Sequence, residues 1–311
     1  MRKFWLENDR TKSTFKSYVG WRGLPSQGET INIEGHYGQR HTVQAATSSN
    51  TKVYFFGGST MWGSGIDDAK TIPSYFAKLS GMHAENFGER AWVAHQSLVL
   101  LMQLLQAGHR PDVVVFYDGV KEPVQKCTTG TGADAHGREG QFQAILNRGA
   151  RPYYFAHYLA PLVSIAENAR QGLNAQSGWY DCSEHEAKAS AVADALIRDW
   201  DFARQLVEWH GGKFVGILQP VIYYTGARRD SPLLPLPDAI RTKSDEYQYR
   251  AVYPKLRAEI ARGGIYHDLV EALDSHPNVY YDWAHLVPAG NEHMARRILE
   301  LIAPRRADLP R

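Results

Sequence analysis

Short continuous apolar runs alternate along this chain with segments whose apolar positions recur every three or four residues. Val53–Phe56 reads as a buried strand, Ile72–Leu79 as a helix with Pro73 in its first turn, and Ala84–Phe87 as a short strand. Trp92–Ala107 carries a long helical pattern, and Asp112–Tyr117 follows as an apolar run suited to a central parallel strand covered on both faces. Ala187–His210 then reads as a helix, with Val192, Leu196, Ala203, Leu206 and Val207 among its apolar positions. Lys213–Gln219 is predicted as a strand, Ser244–Arg262 as a helix and Val279–Tyr281 as a short strand. A closing helix runs through His293, Met294, Ile298 and Leu301. Strands alternating with helices predict a doubly wound α/β sandwich built on a central parallel sheet. Ligands bind such sheets beyond the carboxyl ends of the strands. Ser59, Gly88, Gly119 and Asp282 each fall just after a predicted strand, which gathers them at one edge.

The first 50 residues differ from this alternation. They are rich in glycine and polar groups, with strand-like pieces at Thr30–Ile33 and His41–Gln44, and are expected to form a β-rich decoration. Residues 51–311 are expected to form one large domain, with an insertion at about 123–186. Within the insertion, Thr128–Gly137 is read as a lid or substrate-selecting loop, or else as a surface excursion. A length of 311 residues supports a single sizeable core. The balance of 35 basic against 33 acidic residues leaves no broad electrostatic footprint for nucleic acid. No apolar stretch approaches the roughly 20 residues needed to span a bilayer, and the amino terminus lacks the apolar region of a signal peptide. Two cysteines, Cys127 and Cys182, are either reduced thiols or a bridge. A bridge implies a periplasmic or extracellular location, and free thiols a cytoplasmic one.

The chemistry concentrates in two distant places. An apolar strand that stops at Gly57-Gly58-Ser59 exposes a serine hydroxyl at its carboxyl end. A serine is a weak nucleophile and needs a base, and Asp282-Trp283-Ala284-His285 supplies a histidine with a carboxylate to orient it. Taken singly, Ser59 equally suits a helix cap, Asp282 an N-cap and His285 a core histidine. Gly57–Gly65 has neither a Walker lysine nor a Gly-x-Gly-x-x-Gly pattern. His95, His136, His157 and His293 form no metal-binding spacing, so no metal and no cofactor are expected. Trp62, Trp92 and Trp283 flank the motifs and are candidate platforms for sugar rings or acyl groups, or else packing residues.

In their order, these motifs resemble the SGNH hydrolase superfamily, the GDSL-like esterases and lipases. Gly57-Gly58-Ser59 matches its first block, Asn86-Phe87-Gly88 its second and Asp282-x-x-His285 its last. The third block departs, because Lys121 in Tyr117-Asp118-Gly119-Val120-Lys121 stands where the family usually carries an asparagine whose amide donates to the oxyanion. The resemblance implies a flavodoxin-like three-layer α/β/α fold and a serine esterase that removes O-acyl groups, such as acetyl, from a small molecule, a carbohydrate or a cell-envelope polymer. In that mechanism His285 deprotonates Ser59, Asp282 holds the imidazole, and the backbone N–H groups of Ser59 and Gly88, with Lys121, stabilise the oxyanion. Transfer of the acyl group to a polysaccharide hydroxyl, or glycan binding with weak catalysis, are the alternatives. Lysine is a flexible, hydrated point charge where the family uses a fixed amide, and losing one oxyanion donor costs about 10²- to 10³-fold in rate.

Overall fold

A computed structural model describes residues 2–47, 49–140, 142, 180–224 and 243–303. The chain opens with helix α1 (Arg2–Asn8) and a hairpin of β1 (Ser13–Lys16) and β2 (Gly20–Gly23). Next come β3 (Ile33–Glu34), β4 (Gln39–Arg40), β5 (Lys52–Gly57), α2 (Ser59–Trp62), α3 (Ile72–Ser80), β6 (His83–Asn86), α4 (Ala94–Gln106), β7 (Val113–Asp118) and α5 (Lys121–Lys126). After the insertion come α6 (Glu186–Trp209), β8 (Lys213–Leu218), α7 (Lys243–Gly263), β9 (His267–Asp268) and α8 (Pro288–Ile302). One sheet of seven strands runs β3-β4-β6-β5-β7-β8-β9, parallel from β6 to β9, with β3 and β4 added antiparallel at the β6 edge.

This order determines where a ligand can sit. From β5 the chain steps one way to β6, then crosses back over β5 to β7 and continues to β8 and β9. Right-handed crossovers therefore put α3 on one face and α4 and α6 on the other. The packing agrees, since α3 lies against α8 while α6 lies against both α4 and α7. The direction reverses between β5 and β7, so a crevice opens beyond their carboxyl ends. The sandwich expected from the sequence is the one observed.

The core follows from the same apolar runs. All six residues of β7 are buried. Phe87, Phe56, Phe116 and Phe214 form a row across the sheet, with successive ring centroids 5.3, 5.1 and 5.2 Å apart. Such neighbours add aromatic contact to the area each ring buries.

The amino-terminal segment is tied to this core by two buried arginines. Arg40 donates to Asp68 Oδ1 at 2.5 Å and to the carbonyls of Thr30, Trp62, Gly63 and Ile66. Arg22 donates to the carbonyls of Tyr37, Gly38, Phe87 and Gly88. Each guanidinium offers five N–H donors in a fixed fork, and here they saturate backbone oxygens that no strand or helix serves.

Three local expectations fail. His41–Gln44 is not a strand, because side chains take its ladder's place. Gln44 exchanges hydrogen bonds with the backbone of Ala84, and Val43 N–H donates to Ser74 Oγ. Thr30–Ile33 gives only β3, which begins at Ile33. Val279–Tyr281 forms a single bridge between Tyr280 and Leu286, and the edge position of the parallel sheet goes to β9, too short to leave a periodic signal. Of the expected insertion, residues 141 and 143–179, including His157, lie outside the described residues.

Cys127 and Cys182 form a disulfide with Cα atoms 5.2 Å apart, closing a 55-residue separation between the end of α5 and the approach to α6. Among the described residues no helix is long and apolar enough to cross a membrane.

Arg40→Ala leaves Asp68 and four carbonyls without their buried donor and should cost about 3–5 kcal/mol in urea unfolding, whereas an exposed arginine such as Arg262 should cost under about 0.5 kcal/mol. Replacing both cysteines with alanine should lower stability by up to about 4 kcal/mol, the chain-entropy figure for a loop of this length. An unchanged unfolding midpoint under reducing and oxidising conditions would contradict the second expectation.

Candidate active site

Ser59 is placed by the end of β5. Gly57 has φ 149°, and a Cβ there would lie 2.4 Å from the Tyr117 carbonyl of β7. The two strands approach so closely that only glycine fits. Gly58 then caps α2, and Ser59 becomes its first helical residue, 7% exposed, facing the crevice between β5 and β7.

His285 arrives on the loop between residues 279 and 287. Tyr281 N–H donates to the His285 carbonyl and Val287 N–H to that of Val279, so the loop is a closed turn. Asp282 has two functions within it. Its Oδ1 accepts the N–H groups of Ala284 and His285 at 2.9 and 2.8 Å, and its Oδ2 lies 2.7 Å from His285 Nδ1. The opposite ring nitrogen, Nε2, is 2.7 Å from Ser59 Oγ. With Nδ1 donating to the carboxylate, Nε2 is left as the acceptor for the serine hydroxyl. Burial pushes the Asp282 carboxyl upward, but the hydrogen bonds and charge of His285 and the two amides outweigh it and hold the group below its ordinary value. Asp282 therefore stays anionic at neutral pH, as stabilising an imidazolium requires.

Further contacts fix the loop against the helix that begins at Ser59. The Tyr281 ring stacks on His285 at 5.6 Å and 15°, and its hydroxyl donates to the Ser64 carbonyl at 2.5 Å. Gly65 leaves room for that phenol, since a Cβ there would meet its oxygen at 2.5 Å. Thr60 Oγ1 reaches the Ala284 carbonyl at 3.4 Å. Tyr281 and Thr60 each adjoin a motif residue, which is the only signal the sequence offers for them.

The expected oxyanion and substrate residues divide. Gly88 N–H donates to Asn86 Oδ1 at 3.0 Å, and a Cβ on Gly88 would lie 2.7 Å from Trp62 N. That amide bonds within the loop, and Gly88 is a close-packing glycine. Lys121 does line the crevice with Ser59, its Cγ 3.4 Å from where a Cβ on Gly58 would be. Its ammonium sits 5.0 Å over the Trp283 ring. Trp62 and Trp92 are corrected to packing residues. Trp62 is 0% exposed between the guanidiniums of Arg40 and Arg90, and Trp92 is 1% exposed with Arg22 over its indole. Trp283 is half-buried beside the histidine, its ring centroid 6.4 Å from that of His285.

Two buried carboxyl groups stand behind the crevice. Burial, reinforced by the neighbouring Glu122 charge, drives Asp118 well above the ordinary aspartate value even though Trp200 Nε1 donates to it at 3.0 Å. Burial also raises Glu122, against the hydrogen bonds from the Ala94 and Gly119 N–H groups and the charge of Lys126. Among the described residues, no three His, Cys, Asp or Glu side chains gather closely enough to hold a metal ion.

No family model and no curated protein sequence matches the chain. Its fold is similar to that of solved G-D-S-L proteins. A member of the lipolytic G-D-S-L family from Veillonella parvula aligns at 13% identity over 83% of this chain and 100% of that one, with a TM-score of 0.47. Est24, a carbohydrate acetylesterase from Sinorhizobium meliloti, aligns at 13% identity over 81% and 98%, with a TM-score of 0.44. A GDSL-like lipase from Bacteroides thetaiotaomicron aligns at 13% identity over 81% and 87%, with a TM-score of 0.41.

The raised Asp118 has a pH signature. A carboxyl with a raised folded-state pKa stabilises the fold fully below its unfolded value near 3.9, and that contribution is lost as pH climbs toward the folded value. Asp118→Asn keeps an acceptor for Trp200 without the ionisation. Its stability relative to the parent should therefore rise between pH 5 and pH 8.5 in urea titrations, and a difference independent of pH would contradict the assignment.

Proposed function

We propose that this chain is a serine ester hydrolase of the SGNH type that removes short O-acyl groups. The observation that carries the reading is the hydrogen-bonded chain from Ser59 Oγ through His285 to Asp282, with 2.7 Å at each step to the imidazole. In this reading His285 Nε2 takes the Ser59 proton as Oγ attacks the ester carbonyl, and returns it to the leaving alcohol. The negative charge that develops on the carbonyl oxygen is met by the Ser59 N–H, at the start of α2, and by the Lys121 ammonium. Water then attacks the acyl-enzyme with His285 again as base, releasing the acid and free Ser59.

The crevice favours a small acyl group. Its floor beside Ser59, bounded by Tyr117, Val120 and Gln219, has room for about one water-sized group, about 10 Å³. Acetyl fits that description better than a long chain. The alcohol side, left to the rim near Trp283, suits a carbohydrate or a cell-envelope polymer. The Cys127–Cys182 bridge supports a periplasmic or extracellular setting, because such bonds persist in oxidising compartments.

Hydrolysis of p-nitrophenyl acetate should fall roughly 10⁴-fold or more in Ser59→Ala and by about 10²- to 10⁴-fold in Asp282→Asn, which disturbs the tautomer. Turnover should decline steeply from acetate to octanoate esters in the parent protein. Equal turnover by the parent and Ser59→Ala would sink the reading.

A further inference from the structure

We propose that Glu122 is a positioning residue for the ester-hydrolase reaction, acting as a carboxylate clamp that sets the distance between the two walls of the crevice and thereby the position of Lys121. The proposal rests on the hydrolase reading, which assigns Lys121 to the oxyanion. Glu122 is fully buried, yet it sits next to Lys121 on α5. Its two oxygens serve two different chain segments. Oε1 accepts the Ala94 N–H at 2.9 Å, where the loop after β6 becomes α4, and Oε2 accepts the Gly119 N–H at 3.1 Å, in the turn after β7.

Both segments border the nucleophile. The first brings the Trp92 carbonyl to 3.5 Å from where a Cβ on Gly58 would be, and the second carries Lys121, whose Cγ lies 3.4 Å from the same point. Neither amide can enter a strand ladder. Ala94 N–H belongs to the unsatisfied first turn of α4, and Gly119, with φ 110°, has left the sheet. A buried amide without a partner costs about 1–3 kcal/mol, so the carboxylate is demanded on both sides. It also lies at the positive end of a 13-residue helix.

Four carbonyls of the two segments are held from elsewhere. Arg22 takes the carbonyls of Phe87 and Gly88, Trp21 Nε1 donates to the Arg90 carbonyl, and Tyr249 OH donates to the Val120 carbonyl at 2.7 Å. Each of these contacts fixes one wall to its own surroundings. Glu122 joins wall to wall, and it does so one residue from the charge that must be aimed. An error of about 1 Å in such a group is enough to cost about 10²-fold in rate.

The test is a double-mutant cycle on p-nitrophenyl acetate with hydrogen exchange measured on the same proteins. Glu122→Gln keeps the shape but places an amide NH₂ against one backbone N–H. It should lower kcat about tenfold with KM changed less than about twofold. In a Lys121→Ala background the same change should cost less than about twofold, because the group being positioned is already gone. Exchange should accelerate in peptides covering residues 88–96 and 117–123 and stay unchanged in those covering β5 and β8. Equal losses from Glu122→Gln in the two backgrounds would overturn the role, as would an unchanged kcat or unchanged exchange at both walls. Absence of Ser59-dependent turnover in the parent protein would overturn the hydrolase reading and the role together, which sets that failure apart from an active parent with a neutral Glu122→Gln.

Discussion

The crevice of this protein is bordered by irregular backbone, and irregular backbone buried against a core must still find hydrogen-bond partners. Four charged side chains meet that requirement. Arg40 and Arg22 saturate carbonyls of the amino-terminal segment and of the loop after β6, Glu122 accepts amides from two walls, and Asp282 accepts two amides of its own turn. Each buried charge would be costly alone. Each is compensated by the backbone dipoles turned toward it, and Arg40 also by the Asp68 carboxylate. The same bonds that make the loops affordable also make them rigid, and a rigid loop is what holds a serine and an imidazole at 2.7 Å.

Asp282 illustrates how stability and chemistry share one group. Two of its contacts close a turn, and one orients His285. The competing reading of an Asp-x-x-His motif as a simple cap is therefore not an alternative to the functional one, since the cap geometry is what directs the second oxygen at Nδ1. The depressed pKa of Asp282 has the same origin, in donors that favour the charged form. Such a group contributes stability above its ordinary value near 3.9 that is lost as pH falls through the lower folded value. Acid therefore loosens the turn and protonates the orienting carboxylate in one step.

Legibility from sequence followed the range of the interactions. The parallel strands and long helices were readable because burial on both faces writes a continuous apolar run, as in Val113–Tyr117, and burial on one face writes a helical period. Ser59, Asp282 and His285 could be singled out because the types of residue that such chemistry demands are few and their local contexts are tight, and their side chains do meet in the structure. What could not be read depended on which atom faces which. The sequence does not show that Gly88 N–H bonds to Asn86 Oδ1, or that Trp62 is fully buried against the guanidiniums of Arg40 and Arg90. The burial of Arg22 and Arg40 was not readable either, because two arginines in a polar stretch give no periodic sign of it.

In the proposed reaction Lys121 meets the oxyanion, and its setting supplies what a lysine needs there. An asparagine amide aims itself through two short torsions, whereas a lysine ammonium needs its stem supported if it is to act at a fixed point. Here the support is present on three sides. The stem lies against Gly58, the ammonium over the Trp283 indole, and the helix that carries it is held at its start by Glu122 and at its end by the Cys127–Cys182 bridge. Trp283 belongs to the turn that presents His285, so the cation and the base share one mounting. In the proposed reaction, a point charge fixed in this way approaches the preorganisation of an amide while bringing a full positive charge to the developing oxyanion. On that reading the lysine gives the oxyanion wall a cation where an amide would otherwise serve.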